Sequence, residues 1–221
     1  MWGWVALVGI ITLLNYATRF VAEDDAQDRS RTLYEYGTAI AGVIFFLIVL
    51  TIVVFLARGL PRREVFALRR PHSWGSAAWK IVAALVAIWV ANALLTFVLD
   101  LRAGDEQGIV PEEWEPDRAG AFVANFAVIA LLGPVVEELS YRGLGYWTVR
   151  AVYGTTAAVL ATSLLFGLSH GLVEGLPALT VFGLAAAWLR HDTDSIYPST
   201  ILHVLFNGLA LLAAVTLEAD F

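Results

Sequence analysis

The sequence predicts an all-α fold, a polytopic transmembrane helical bundle of about seven spans with a cytoplasmic N-terminus, and three observations carry that expectation. Hydrophobic residues make up 59% of the 221-residue chain and charged residues only 15%, more apolar surface than a soluble domain of this length can bury. Seven long windows contain no Asp, Glu, Lys or Arg, and about 20 mostly apolar residues are what a helix needs to cross the hydrocarbon core. The loops between the windows alternate between basic and acidic, the pattern that sets orientation in a bilayer.

The first window, Met1–Thr18, lacks the positive n-region and the small-residue cleavage site of a signal peptide, so it reads as a retained span; as a signal peptide it would leave six. The second and third, Gly37–Ala57 and Ile81–Leu99, are long and uninterrupted. The fourth, Ala119–Val136, carries Gly133-Pro134 near its end, and the sixth, Gly175–Leu189, is short. Those two are expected to be tilted, broken or partly shielded by neighbours. The fifth, Tyr153–Ser169, and the seventh, Ile196–Leu217, complete the set. No internal repeat or separate soluble segment interrupts the pattern, so residues 1–221 read as one integral membrane domain.

Between the second and third windows stand Arg58, Arg62, Arg63, Arg69, Arg70 and Lys80 against the single acid Glu64, which marks that loop as cytoplasmic. The flanking loops are acidic. One carries Glu23, Asp24, Asp25, Asp28 and Glu35; the other carries Asp100, Asp105, Glu106, Glu112, Glu113, Glu115 and Asp117. Counting outward from the basic loop places the N-terminus, Arg142, Arg150 and Arg190 on the cytoplasmic side. The acidic stretch Asp100–Asp117 reads as a solvated connector rather than a cover or a docking site. The basic stretch Ala57–Arg70 reads as a topology signal, with a short amphipathic segment on anionic headgroups as the alternative. Trp2, Trp4, Trp79 and Trp188 fall near window ends and read as an interfacial belt.

A net charge of −6 gives no basic surface for nucleic acid, and the absence of cysteine removes disulfides, thiol nucleophiles and Cys-based zinc sites. Candidate chemistry therefore rests on ionisable residues in or beside the apolar windows, where they are costly. Glu137-Glu138-x-x-x-Arg142 follows the fourth window. Adjacent helical residues point about 100° apart, so both carboxylates are not expected to face one reactant. Glu138 and Arg142, spaced i,i+4 with the acid first, suit an ion pair. Glu137 is left for chemistry in an apolar setting, the kind that tunes a carboxylate for general-base work near neutral pH. By themselves these residues read equally well as a structural ion-pair cluster.

Phe166-x-x-x-His170 places an aromatic ring and an imidazole on one helical face, and His203-x-x-x-Asn207 does the same for two polar side chains inside the last window. Alone, His170 suits a helix-end structural residue, and His203 with Asn207 suits interhelical glue. Together the four polar groups form a set for amide hydrolysis. Glu137 and His170 can polarise water, while His203 and Asn207 can donate to a developing oxyanion. His72 and His191, taken as loop residues, and the single span residues Asn15, Asn92 and Asn125 are weaker candidates.

In order and spacing, EELSYR (Glu137 to Arg142), FGLSH (Phe166 to His170) and HVLFN (His203 to Asn207) resemble the CPBP family, the CAAX protease and bacteriocin-processing or Abi group of intramembrane endopeptidases. A fourth stretch, Arg190 to Ile196, resembles the family's R-x-x-T-G-S-[IL], with Asp194 where glycine is usual, which leaves the shape of that turn open. The resemblance covers about Ala119 to Leu217, the expected catalytic core 119–217. It implies a membrane protease whose site opens toward the cytoplasm, with Glu137, His170, His203 and Asn207 catalytic and Glu138, Arg142 and Phe166 supporting them.

Glu137, His170 and His203 would supply the three protein ligands of a catalytic zinc. HExxH spacing is absent, however, and Asn207 suits an oxyanion hole better than a coordination shell, so no metal or other cofactor is expected to be required. The expected partners are membrane lipids and a membrane-associated or lipidated protein or peptide substrate. Arg-rich, nearly Lys-free usage points to a prokaryotic cell membrane, where prenylated substrates are not expected. Two other classes compete. One is a non-proteolytic peptide-binding protein such as a bacteriocin immunity factor, against which the intact polar set argues. The other is a transporter or proton relay, for which the paired broken helices of inverted repeats are missing.

Overall fold

The computed structural model describes residues 1–21, 31–99 and 114–216, and among them every regular element is helical. Helix α1 spans Trp2–Val21 and α2 spans Tyr36–Leu56. A single turn, α3 (Arg62–Val65), leads to α4 (Trp74–Val98), whose first turn is capped by Ser73 accepting from the Ser76 amide. A long composite stretch follows: α5 (Ala119–Phe126), a π turn over Ala127–Leu132, α6 (Gly133–Glu138), a second π turn over Leu139–Gly145, and α7 (Tyr146–Leu168). Helices α8 (Leu176–Thr193) and α9 (Tyr197–Thr216) close the bundle.

Among the described residues four stretches are long and apolar enough to cross a membrane: Tyr36–Leu56, Trp74–Val98, Pro116–Leu168 and Tyr197–Thr216. Their outward faces carry Leu47, Ile48, Phe55, Val82, Val86 and Phe97, all exposed, a surface that a bilayer solvates and water does not. The chain is an integral membrane protein. The third stretch has 53 residues and holds the fourth and fifth windows together. Gly154, at φ +83° and ψ 176°, breaks α7 between them, and only glycine adopts such a backbone without strain.

Of the expected alternatives, a break at Gly133-Pro134 is absent, for a local reason. The preceding π turn widens the helix, and the Gly133 amide bonds five residues back to Val128 O. The next amide in that register would serve Ile129 O, but residue 134 is proline and has no N–H. Asn207 on α9 donates its side-chain amide to Ile129 O at 3.0 Å instead. A side chain from another helix thus completes the ladder, and the helix continues without interruption into the Glu137-Glu138 pair.

The core joins α1, α2, α4, α7, α8 and α9 around Val53, Ile88, Phe166, Phe182 and Leu202. Helices α7 and α8 approach closely because residue 183 is glycine: a Cβ there would lie within 3.0 Å of Ser163 backbone atoms. Trp4 is a core residue and not part of an interfacial belt. It is 1% exposed and donates to Ser140 Oγ at 3.2 Å, whereas Trp2, Trp79 and Trp188 are exposed. His191 lies in the last turn of α8, not in a loop, with Nδ1 3.0 Å from the Tyr146 hydroxyl. Apart from Glu35, Glu115 and Asp117, the acids assigned above to the two outer loops lie outside the described residues.

The basic stretch has a packing role that its charge conceals. Val65, Phe66 and Ala67 are buried, and the stretch is tied to the turn after α8. Ile196 N donates to Ala67 O, Ser195 Oγ donates to Arg69 O, and Arg69 pairs with Asp194 at 3.1 Å. Lys80 pairs with Asp192. Asp194 itself adopts φ +47°, ψ 32°, the left-handed C-cap conformation that glycine favours. The turn therefore keeps a glycine-like shape, and its carboxylate gains Arg190 at 3.3 Å as well as Arg69. Both Asp194→Gly and Asp194→Ala remove these pairs, but only alanine retains the left-handed strain. Asp194→Ala is expected to be the less stable variant by about 1 kcal/mol, measured by denaturant titration in detergent; equal stability would refute the strain account.

Candidate active site

The second π turn and the end of α6 set the site. Glu138 and Arg142 are both 0% exposed, with Glu138 Oε1 3.0 Å from Arg142 Nη1. The same oxygen meets His203 Nδ1 on α9 at 3.1 Å. Arg142 also donates through Nη2 to Gly183 O on α8 at 3.1 Å, and its guanidinium lies 4.6 Å from the Phe166 ring centre. A buried charge pair is tolerable only with such extra hydrogen bonds and ring contacts. From outside, Arg190 Nε donates to Arg142 O at 3.2 Å.

Glu137 and Glu138 diverge as adjacent helical residues must, yet they meet one side chain from opposite sides. Glu137 Oε2 lies 3.6 Å from His203 Nε2, while Glu138 takes Nδ1. The imidazole is thus held edge-on between two carboxylates, with Phe182 4.7 Å and Phe166 5.5 Å away by ring centres. Because a carboxylate accepts, the Glu138 contact places a proton on Nδ1.

His170 follows the end of α7, and its Nδ1 lies 2.7 Å from Phe166 O. A carbonyl only accepts, so Nδ1 carries the proton, and in the neutral ring Nε2 keeps a free lone pair. Phe166 thereby supports the site twice, through its carbonyl at His170 and through its ring beneath Arg142. Glu137 and His170 line one cavity of about 70 Å³, together with Ser140, Tyr141, Ser169 and Asn15, room for several waters. Tyr141 donates to Ser169 Oγ at 2.6 Å, and Ser169 Oγ donates to Phe166 O at 2.8 Å. Asn15 on α1 donates to Ser169 O.

Glu137, Glu138, Arg142, Phe166, His170 and His203 are therefore gathered by direct contacts or by that shared cavity, from the α6 region, α7 and its end, and α9. Asn207 is one helical turn below His203, and its hydrogen bond goes to Ile129 O. Sequence reasoning missed Phe182, Tyr141, Ser169 and Ser140, and it ranked Asn15 low. In an apolar window Phe182 carries no signal, and nothing in the local pattern of Asn15 reveals that it crosses to Ser169. Glu137 Oε2 and His203 Nε2 lie 3.6 Å apart, and among the described residues no group of three His, Cys, Asp or Glu is gathered closely enough to hold a metal ion.

Residues 119–209 match the family model described as type II CAAX prenyl endopeptidase Rce1-like. Over 175 residues the chain is 22% identical to the protein named "Putative membrane peptidase YdiL" of Bacillus subtilis (strain 168), covering 77% of this chain and 69% of that relative. No solved structure matches. The matched segment contains all three motifs, and the chain resembles the CPBP family, whose members are membrane proteases.

Removing one member of the buried pair leaves an uncompensated charge. Arg142→Met is expected to destabilise the protein by about 3–5 kcal/mol, and Glu138→Gln in the same chain to recover part of that loss. Denaturant titration of the single and double variants in detergent checks both, and a near-neutral Arg142→Met would contradict the burial argument.

Proposed function

We propose that the chain is an intramembrane endopeptidase of the CAAX type that hydrolyses a peptide bond of a membrane-associated or lipidated protein or peptide by glutamate- and histidine-activated water. The observation that carries this reading is the shared cavity: Glu137 and His170 line one space of about 70 Å³, and the His170 Nδ1 contact with Phe166 O leaves Nε2 of the neutral ring unprotonated. A water held there loses a proton to this pair as its oxygen bonds to the substrate carbonyl carbon. The same proton then passes to the leaving nitrogen as the C–N bond breaks.

The tetrahedral oxyanion needs donors. His203 serves through Nε2 when both ring nitrogens carry a proton, the Nδ1 proton being given to Glu138. Asn207 keeps a second amide proton beyond the one given to Ile129 O. Glu138 and Arg142 are positioning residues that fix the His203 ring. The basic stretch, which the charge pattern assigns to the cytoplasmic side, is linked to the site through Asp194, Arg190 and Arg142, which supports a substrate approach from that side. The family match to CAAX endopeptidases and the peptidase name of the Bacillus relative support the reaction class.

Glu137 is partly exposed and lies 3.6 Å from His203, so Glu137→Gln is expected to fold normally and lower cleavage at least about 100-fold. The measurement compares new peptide termini in native-host membranes holding wild type or variant at equal abundance. New termini with wild type alone support proteolysis. Identical sets would remove it and leave a non-proteolytic peptide-binding role.

On the cut sites found this way, Asn207→Ala is expected to lower kcat by about 100-fold or more while KM changes little. A change confined to KM would make Asn207 a substrate-binding or purely structural residue.

A further inference from the structure

Outside the candidate active site, a cavity of about 470 Å³ lies where the basic stretch meets the first turns of α4 and α9. Its polar wall carries Arg63, Arg69 and Arg70; its apolar wall carries Leu68, Trp74 and Ile201. Among the described residues Arg63 and Arg70 have no carboxylate within ion-pair distance. Arg69 gives one nitrogen to Asp194, but its Nε is buried without a hydrogen-bond partner among them. Guanidinium groups suit the oxygens of a phosphate, which they can contact through two N–H donors each.

The apolar side does not end at the cavity. Below Ile201, the exposed residues Leu205, Leu209 and Leu212 continue along one face of α9, at the spacing that forms a stripe. Trp74 and Tyr197, both exposed at the first turns of their helices, mark the level of the membrane interface. Positive charge at that level, with an apolar track leading into the bilayer, matches a molecule that has an anionic head and hydrocarbon tails. The cytoplasmic leaflet, to which the charge pattern assigns this end, is where anionic lipids lie.

We infer that this cavity is a binding site for the headgroup of an anionic phospholipid, with the phosphodiester at Arg63, Arg69 and Arg70 and an acyl chain along the Ile201–Leu212 face of α9. The site is separate from the Glu137–His170 cavity and does not depend on the proposed hydrolysis. Free phosphate shares the head chemistry but lacks the tail. A peptide C-terminal carboxylate shares the charge but not the tetrahedral oxygens.

The test uses the full chain purified in a neutral detergent and titrated with dioctanoyl phosphatidylglycerol, with binding read by microscale thermophoresis. Dioctanoyl phosphatidylcholine, inorganic phosphate and a short peptide with a free C-terminus form the other arms. Saturable phosphatidylglycerol binding at least tenfold tighter than each of the three is expected. Arg63→Gln/Arg70→Gln removes two side chains without ion-pair partners, so its lipid-free unfolding midpoint is expected to match wild type and its affinity for phosphatidylglycerol to fall at least tenfold. Ile201→Ser is expected to weaken the same lipid several-fold and leave phosphate unaffected. Equal binding of the two lipids overturns the inference, as does unchanged affinity in the double variant. Phosphate binding as tight as phosphatidylglycerol would make this a free-anion site, and preference for the peptide would make it a substrate contact; either result also overturns it.

Discussion

Glu138 and Arg142 are fully buried, and in an apolar bundle neither charge is tolerable without the other. Their pairing fixes more than a charge balance. Glu138 Oε1 also takes His203 from α9, and Arg142 reaches Gly183 O on α8 and rests on the Phe166 ring of α7. Three helices are registered against one π turn by these contacts. The polar groups of the candidate site owe their relative positions to these contacts together with the close packing at Gly183.

A continuous series of polar contacts runs from that centre to the surface. Arg190 touches Arg142 O, Asp194 holds Arg190 and Arg69, and Ser195 and Ile196 tie the same turn to the backbone of the basic stretch. The basic stretch therefore combines orientation by charge with packing by Val65 and Phe66, which are buried beneath it. The two roles coexist because arginine heads stay at the rim while the neighbouring apolar residues turn inward.

The helical bundle and its apolar segments were legible because hydrophobicity has to be continuous over a span, which a linear pattern records directly. The Glu138–Arg142 pair was legible for the same kind of reason, an i,i+4 spacing on one helix. Contacts between helices were not. Trp4 looks like a belt residue in sequence and is buried against Ser140; Asn15 and Asn125 look alike, yet Asn15 reaches the candidate site while Asn125 holds Leu33 O and Glu35 O elsewhere. Asp194 looks like a departure from a glycine position, and its backbone adopts the glycine-like conformation anyway.

By itself the sequence determined the membrane setting, the three polar motifs and the family resemblance, because these depend on composition and on spacings within single helices. Only the tertiary structure decided that two diverging carboxylates lie at opposite nitrogens of one imidazole, that Phe166 O sets the His170 tautomer, and that Asn207 completes the helix at Pro134. Each of those depends on the relative rotation and depth of separate helices. Those quantities are set by close packing at Gly183 and by the buried ion pair, and no local pattern in the chain encodes them.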